Sequence, residues 1–115
     1  MEDIMSNSKN KTIRVLIVEP GKAPHSAEIP NTLEFLQHQV GGLIQALYLS
    51  DAVIICNDEG KLLGLPWNRP LFDEDGNIYD IIAGTFLVAG LTEDDFGSLT
   101  EEQVKRYTEI FNLIR

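Results

Sequence analysis

Runs of apolar residues in the first half of the chain predict strands separated by short turns. Residues 12–18 (TIRVLIV) are rich in β-branched side chains, which is typical of a buried strand. Pro20-Gly21 predicts a turn, and residues 25–29 alternate loosely enough to return as a second strand of a hairpin. Two further apolar runs predict an antiparallel pair, at residues 43–49 and 52–56.

One helix is predicted between these two pairs of strands. Asn31 and Glu34 have the spacing of a capping box, and the following apolar residues recur at helical intervals. Gly41 can adopt the left-handed conformation that ends many helices. The pattern therefore predicts a helix over residues 32–40.

The middle of the chain predicts shorter elements. Residues 61–63 follow a strong turn signal and predict a short strand, whereas residues 65–70 (LPWNRP) predict an irregular loop because proline lacks a donor. Asp75-Gly76 has the signature of a type I′ hairpin turn. A buried strand is expected near residues 85–89.

Two capped helices are predicted at the end of the chain. The first begins at Thr92, with Asp95 three residues later, and the second begins at Thr100, with Gln103 completing a capping box. The predicted fold class is therefore α+β. We expect a mainly antiparallel sheet of about five to seven strands, one helix after the first hairpin and two C-terminal helices.

The first eleven residues are polar and differ in pattern from the rest of the chain. Residues 1–11 (MEDIMSNSKNK) show no apolar period and predict a disordered tail, which leaves residues 12–115 as a single α+β domain. The tail lacks the apolar core of a signal peptide, and no apolar run approaches a membrane span. These features predict a cytoplasmic protein.

The net charge of the chain argues against some classes of binding partner. The 18 acidic and 9 basic residues give a formal net charge of −9 over 115 residues. This balance argues against direct binding of nucleic acid, which needs a supply of cations for phosphates, and against an anionic membrane surface. A single cysteine excludes an internal disulfide.

No catalytic or metal-binding constellation is recognisable, so we predict a protein that is not an enzyme and holds no metal or cofactor. The acidic run at residues 73–77 lacks the glycine and glutamate positions of an EF-hand loop and is interpreted as a solvated hairpin tip. His25 and His38 have no metal-ligand spacing, and Cys56 is interpreted as a small buried hydrophobe. A hydrolase that relies on Asp58 or Asp80 would lack a nucleophile–base pair.

The segment GLPWNRP carries the most informative chemistry. Trp67 can stack on a base, Asn68 can read an amide or base edge, and Arg69 can bind a phosphate or carboxylate through two bonds. An equally weighted interpretation is structural, with Arg69 paired internally and Trp67 covering the core. Lys22 and the Gly41-Gly42 turn complete the predicted ligand-binding set, since glycine lets backbone approach a ligand.

The order of motifs resembles an uncharacterised domain family of phages, prophages and conjugative elements of Gram-positive bacteria. The resemblance spans about residues 13–103, and its most specific parts are VGG at 40–42, CNDEGK at 56–61, LPWNR at 65–69 and DIIAGTF at 80–86. It implies no activity, cofactor or catalytic residue. It implies a setting among the accessory genes of mobile elements, many of which oppose host defence.

Two functional hypotheses follow. The first is a counter-defence protein that sequesters a small nucleotide-type signalling ligand. The alternative is an acidic inhibitor that blocks a host defence nuclease or another nucleic-acid-binding protein, by DNA mimicry or direct occlusion. A homo-oligomer is compatible with either, because small sheets with exposed edges commonly dimerise. The acids that would carry mimicry are Asp73, Glu74, Asp75, Glu93, Asp94, Asp95, Glu101 and Glu102.

Overall fold

A computed structural model describes residues 11–112, in which eight strands and two helices form. The predicted tail, residues 1–11, lies outside the described residues except for Lys11. The helices are α1 (Leu33–Val40) and α2 (Glu101–Phe111). The strands are β1 (Thr12–Val18), β2 (His25–Pro30), β3 (Ile44–Tyr48), β4 (Val53–Asn57), β5 (Trp67–Phe72), β6 (Ile78–Ala83), β7 (Phe86–Leu91) and β8 (Phe96–Gly97).

Antiparallel pairing orders the main sheet β2-β1-β7-β4-β3, with the short β8 paired to β7. Strands β5 and β6 form a separate two-stranded hairpin. The central strands β4 and β7 are apolar on both faces and almost wholly buried, since both faces of the sheet are covered.

Two clusters of buried side chains lie on opposite faces of the sheet. Helix α1 covers one face, where Leu36 packs with residues such as Ile55 and Leu87. Helix α2 and the β5–β6 hairpin cover the other face. There Phe111 meets the ring of Phe86 edge-on, with 5.2 Å between the ring centroids. The result is a layered α+β arrangement in which the hairpin and α2 share one face.

The helix predicted over residues 32–40 is confirmed within one residue, but its capping differs from the prediction. Thr32, not Asn31, caps α1, because its hydroxyl oxygen accepts from the Phe35 amide at 3.1 Å. The Asn31 side chain instead donates to the carboxylate of Asp95 and the carbonyl of Phe96, at 3.2 Å each. The helix ends at Gly41, whose φ of +82° is left-handed as expected.

The predicted pair of C-terminal helices is wrong, because α2 is the one helix that the described residues contain after β7. Thr92 begins a turn in which its amide and hydroxyl both donate to the Asp95 carbonyl at 2.9 Å. This turn sends Phe96 back to pair with Leu91, so β8 forms where a helix was expected. The capping box of Thr100 and Gln103 at the start of α2 is confirmed.

Two assignments in the middle of the chain are also wrong. Residues 61–63 form a turn and not a strand. Residues 65–70 were expected to be an irregular loop, but residues 67–70 belong to β5 even though they include Pro70. That proline is tolerated because β5 pairs on one side only, with β6. The described residues contain eight strands in all, and six of them form the main sheet, within the five to seven expected for it.

Among residues 11–112, neither helix is long and apolar enough to cross a membrane.

Candidate functional site

The β5–β6 hairpin is built around Asp73, the first residue of its acidic tip. The Asp73 carboxylate accepts from the amides of Asp75 and Asn77 at 2.9 Å each, and Gly76 has a φ of +84°. The loop therefore spans five residues, whereas Asp75-Gly76 alone predicted a two-residue turn. All five are exposed, which confirms the interpretation of this run as a hairpin tip.

Two bulges reorient side chains along the hairpin. In β5, Asn68 is the extra residue between the pairs Trp67–Ala83 and Arg69–Ile82. In β6, the extra residue is Tyr79. A bulge bends its strand and changes the direction of a side chain. The Tyr79 side chain is 59% exposed.

An aromatic groove lies where the hairpin, α2 and the end of β3 meet. Its volume is about 630 Å³. Four large apolar side chains around it are each between 57% and 69% exposed, namely Tyr48, Phe72, Tyr79 and Ile110. The buried residues Leu71, Tyr107 and Phe111 form its floor. We use the name aromatic groove for this set.

Charge at the aromatic groove is negative. Asp73 and Glu74 line it, and among residues 11–112 the lining includes no lysine, arginine or histidine. At its floor, the Tyr107 hydroxyl donates to the Asp51 carboxylate at 2.6 Å, and Arg106 pairs with the same carboxylate. The Tyr107 hydrogen bond lowers the pKa of Asp51, while burial and then Asp51 raise the pKa of Tyr107 to about 12.

Arg69, the predicted ligand-binding cation, is only 5% exposed and is engaged inside the protein. Its Nε donates to the Phe111 carbonyl at 2.7 Å and its Nη2 donates to the Lys22 carbonyl at 2.6 Å. Its Nη1 donates to the Asn68 side chain at 2.6 Å and, over 3.4 Å, to the Glu19 carbonyl. The guanidinium thus fastens the hairpin to the end of α2, where the helix dipole favours a cation, and to the β1–β2 loop.

Of the other residues predicted near Arg69, Asn68 is held by internal hydrogen bonds, whereas the side chains of Trp67 and Lys22 are exposed. Asn68 donates through Nδ2 to the carbonyls of Val18 and Gly84, at 2.9 and 2.8 Å. Trp67 is 64% exposed, and Lys22 is exposed as well. The structure therefore brings Lys22, Asn68 and Arg69 together, but the contacts that join them are internal.

The Gly41-Gly42 turn lies against a different residue, Asn57. Both glycine amides donate to the Gln37 carbonyl, at 2.8 and 3.0 Å, so the pair ends α1. A Cβ on Gly42 would lie 2.9 Å from Nδ2 of Asn57, which donates to the Val40 carbonyl. Close packing of Asn57 explains the second glycine. Ligand binding stays a prediction for the six residues proposed from the sequence, namely Lys22, Gly41, Gly42, Trp67, Asn68 and Arg69.

A smaller depression of about 280 Å³ lies between β6 and the turn after β4. Lys61 and Asp80 form an ion pair across 2.6 Å there, and the hydrogen bond from Lys61 lowers the pKa of Asp80. Burial, reinforced by Asp80 and Asp58, raises the pKa of the nearby Cys56 to about 11. The thiol is therefore protonated near neutral pH and is a poor nucleophile.

Metal ligands are not clustered in the described part of the chain, since residues 11–112 contain no group of three His, Cys, Asp or Glu side chains placed to hold an ion. What the aromatic groove can do chemically is bury apolar surface beside negative charge.

Sequence reasoning did not identify the aromatic groove. Tyr48 and Phe72 lie at strand ends and Tyr79 at a bulge, and the sequence pattern singled out none of the three as a site residue. The available signal was the presence of aromatic residues beside turns.

The fold and this groove define a small α+β domain with an exposed aromatic groove. Over residues 13–112 the chain matches the family described as Domain of unknown function (DUF3846), and it belongs to that family. No curated protein and no solved structure matches the chain. The expected membership of a domain family of unknown function is thereby confirmed, while its characteristic motifs and the mobile-element setting stay predictions.

Proposed function

We propose that the protein is a non-catalytic binding protein that holds a segment of another protein in the aromatic groove. The observation that supports this most directly is the grouping of Tyr48, Phe72, Tyr79 and Ile110, each more than half exposed, around one groove. Exposed apolar groups that lie together favour association, because a partner removes them from water. Aromatic anchors of this kind dominate many protein interfaces.

The charge around the groove favours a cationic partner segment. Within residues 11–112, the charged residues of the lining are Asp73 and Glu74, and the chain as a whole carries −9. A partner with Lys or Arg beside apolar side chains would be attracted at long range and then held by burial. Nucleic-acid-binding proteins carry such basic surfaces. This supports the alternative hypothesis, an acidic protein that occludes a host nuclease or another nucleic-acid-binding protein.

Peptide binding tests the proposal without knowledge of the natural partner. The probe is a fluorescent peptide that alternates Lys with Phe or Leu, measured by anisotropy against the full chain. Two matched peptides replace Lys by Glu or the apolar residues by Ser. We expect measurable binding of the first peptide only, weakening as salt rises because screening reduces the attraction. Equal binding of the Glu peptide would contradict the proposal.

A matched pair of variants locates the binding. Phe72→Ala removes one ring of the groove, whereas Leu33→Ala removes a side chain of similar exposure, 58%, from α1 on the opposite face. Burial of roughly 100 Å² of the Phe72 ring at about 25 cal/mol/Å² is worth about 2.5 kcal/mol, or roughly 60-fold in affinity. We expect that loss for Phe72→Ala and no change for Leu33→Ala. Equal affinities of the two variants for the peptide would show that it binds outside the aromatic groove.

Sequestration of a nucleotide-type ligand is the second candidate, and the exposure of Trp67 favours it. A ring that is 64% exposed can stack on a base. Calorimetry with cyclic and ADP-ribose-type nucleotides tests it, using the wild type and Trp67→Ala. Binding that Trp67→Ala abolishes would support sequestration. Absence of heat at concentrations well above micromolar would exclude it.

The proposed setting is the cytoplasm of a bacterium that carries a phage or another mobile element, where the protein would counter host defence. The resemblance through the LPWNR and DIIAGTF motifs supports this setting. Expression in a bacterial strain with an active defence system tests it by phage plating. Unchanged plating across a panel of defence systems would contradict a counter-defence role.

A further inference from the structure

The two edges of the main sheet differ in how they are protected. Pairing of β1 with β2 and of β3 with β4 leaves β2 and β3 as the outer strands within residues 11–112. An outer strand presents unpaired N–H and C=O groups, and proteins usually protect such an edge with proline or charge.

The hydrogen bonds between β3 and β4 identify which amides of β3 point away from β4, toward the open edge of the sheet. The Asp58 amide donates to the Leu43 carbonyl, and the Leu49 amide donates to the Ala52 carbonyl, both at 2.8 Å. Hydrogen-bonded and non-bonded pairs alternate along an antiparallel ladder, so the odd-numbered residues of β3 bond to β4. The backbone groups of residues 44, 46 and 48 therefore face away from β4.

The same reasoning applied to β2 gives a protected edge. The Asn31 amide donates to the Lys11 carbonyl, so residues 26, 28 and 30 face outward. Position 30 is a proline, which has no N–H, and position 28 is a glutamate. By contrast, β3 (IQALY) has neither proline nor charge and offers every outward donor and acceptor.

We propose that β3 pairs antiparallel with β3 of a second copy of this chain, about a two-fold axis at Ala46. In this register every outward-facing amide of one copy meets an outward-facing carbonyl of the other. Ile44 lies opposite Tyr48 of the second copy, a β-branched and aromatic pair of the kind that stabilises sheets. Ala46 meets itself, so no bulky or charged side chains meet at the axis. The two six-stranded main sheets then form one continuous sheet.

Self-pairing fits β3 because the strand is neutral and self-complementary under two-fold symmetry. A five-residue strand buries a small area, so we expect a weak dimer, with a dissociation constant of about 10–100 µM. Each copy carries −9, so the copies repel each other. The dimer should therefore tighten between about 0.15 M and about 1 M salt, the reverse of the salt dependence expected at the aromatic groove.

Sedimentation of the full chain tests the proposal, from about 1 µM to about 1 mM. We expect the mass to rise from 12.9 kDa toward twice that value. Ala46→Pro removes an outward donor that β4 does not use, and it should keep the chain monomeric with an unchanged circular dichroism spectrum. The matched control, Ser26→Pro, places proline at an outward position of β2 and should leave the dimer intact.

Hydrogen exchange of the wild type gives a second readout if Ala46→Pro fails to fold. The amides of residues 44, 46 and 48 should exchange more slowly as protein concentration rises, while those of 26 and 28 should not. A monomer at every concentration, a dimer that survives in folded Ala46→Pro, or exchange at 44, 46 and 48 independent of concentration would each overturn the proposal. Phe72→Ala, which tests the aromatic groove, should still dimerise, so the two proposals fail separately.

Discussion

Replacement of Arg69 by leucine separates the structural role of this residue from the ligand-binding role that the sequence suggested. The guanidinium is buried and donates to the carbonyls of Phe111 and Lys22 and to the side chain of Asn68. Arg69→Leu would leave these acceptors without a donor in a part of the protein that water reaches poorly. The fold should therefore lose stability even when no ligand is present.

The magnitude follows from the bonds that are lost. A hydrogen bond from a charged donor stabilises by about 1.5–3 kcal/mol, and bonds made by one group are not additive. We therefore expect Arg69→Leu to lower the free energy of unfolding by about 3–5 kcal/mol, as when one partner of a buried charged network is removed. A domain of this length has roughly 6–17 kcal/mol of stability, so the change would be large.

Urea unfolding measures the change through two signals. Far-UV circular dichroism follows the whole sheet, while fluorescence of Trp67, the single tryptophan, follows the hairpin. The matched control is Arg14→Leu, because Arg14 pairs with Glu28 over 3.5 Å with side chains 40% and 59% exposed, and we expect a loss below about 1 kcal/mol. If Arg69→Leu also loses less than about 1 kcal/mol, the structural interpretation is refuted.

Three further predictions concern other parts of the fold. Gly90→Ala should lower the free energy of unfolding by at least about 2 kcal/mol in urea, because a Cβ there would lie 2.3 Å from the Ser98 carbonyl oxygen; a smaller loss would show that the backbone yields easily. Asp51→Asn should destabilise the protein near pH 7 but progressively less as pH falls. The hydrogen bond from Tyr107 holds the folded pKa of Asp51 below its usual value, so the stabilisation is present above the unfolded pKa and is lost as pH falls through the folded one. A stability difference that stays constant down to pH 2 would contradict this linkage. Cys56, whose pKa burial raises to about 11, should react with a thiol reagent near pH 8 only as fast as the protein unfolds, and rapid labelling of the native protein would contradict its burial.

Elements whose signals are local were predicted well from the sequence. The β-branched run 12–18 forms β1, Gly41 ends α1, and Thr100 with Gln103 caps α2. Each depends on side-chain shape or on a hydrogen bond within four residues, and such contacts form in the same way in many folds.

Elements in which a local sequence signal conflicts with long-range contacts were not predicted. Thr92 and Asp95 have the spacing of a helix cap, yet the four residues between β7 and β8 make a turn. Pairing of Phe96 with Leu91, together with the bonds from Asn31 to Asp95 and Phe96, stabilises that turn across 64 and 65 residues of sequence. Tertiary contacts of this range override a local helix signal.

The sequence by itself determined the α+β class, most strand positions and the buried character of Cys56, because apolar periodicity records which faces avoid water. Only the tertiary structure decided the role of Arg69 and the exposure of the groove. The chemistry of an arginine is the same whether its partner is a phosphate or the carbonyl of Phe111, 42 residues away. Likewise, an aromatic ring in an apolar run is buried or exposed according to what covers it, and the hairpin leaves Tyr48, Phe72 and Tyr79 uncovered.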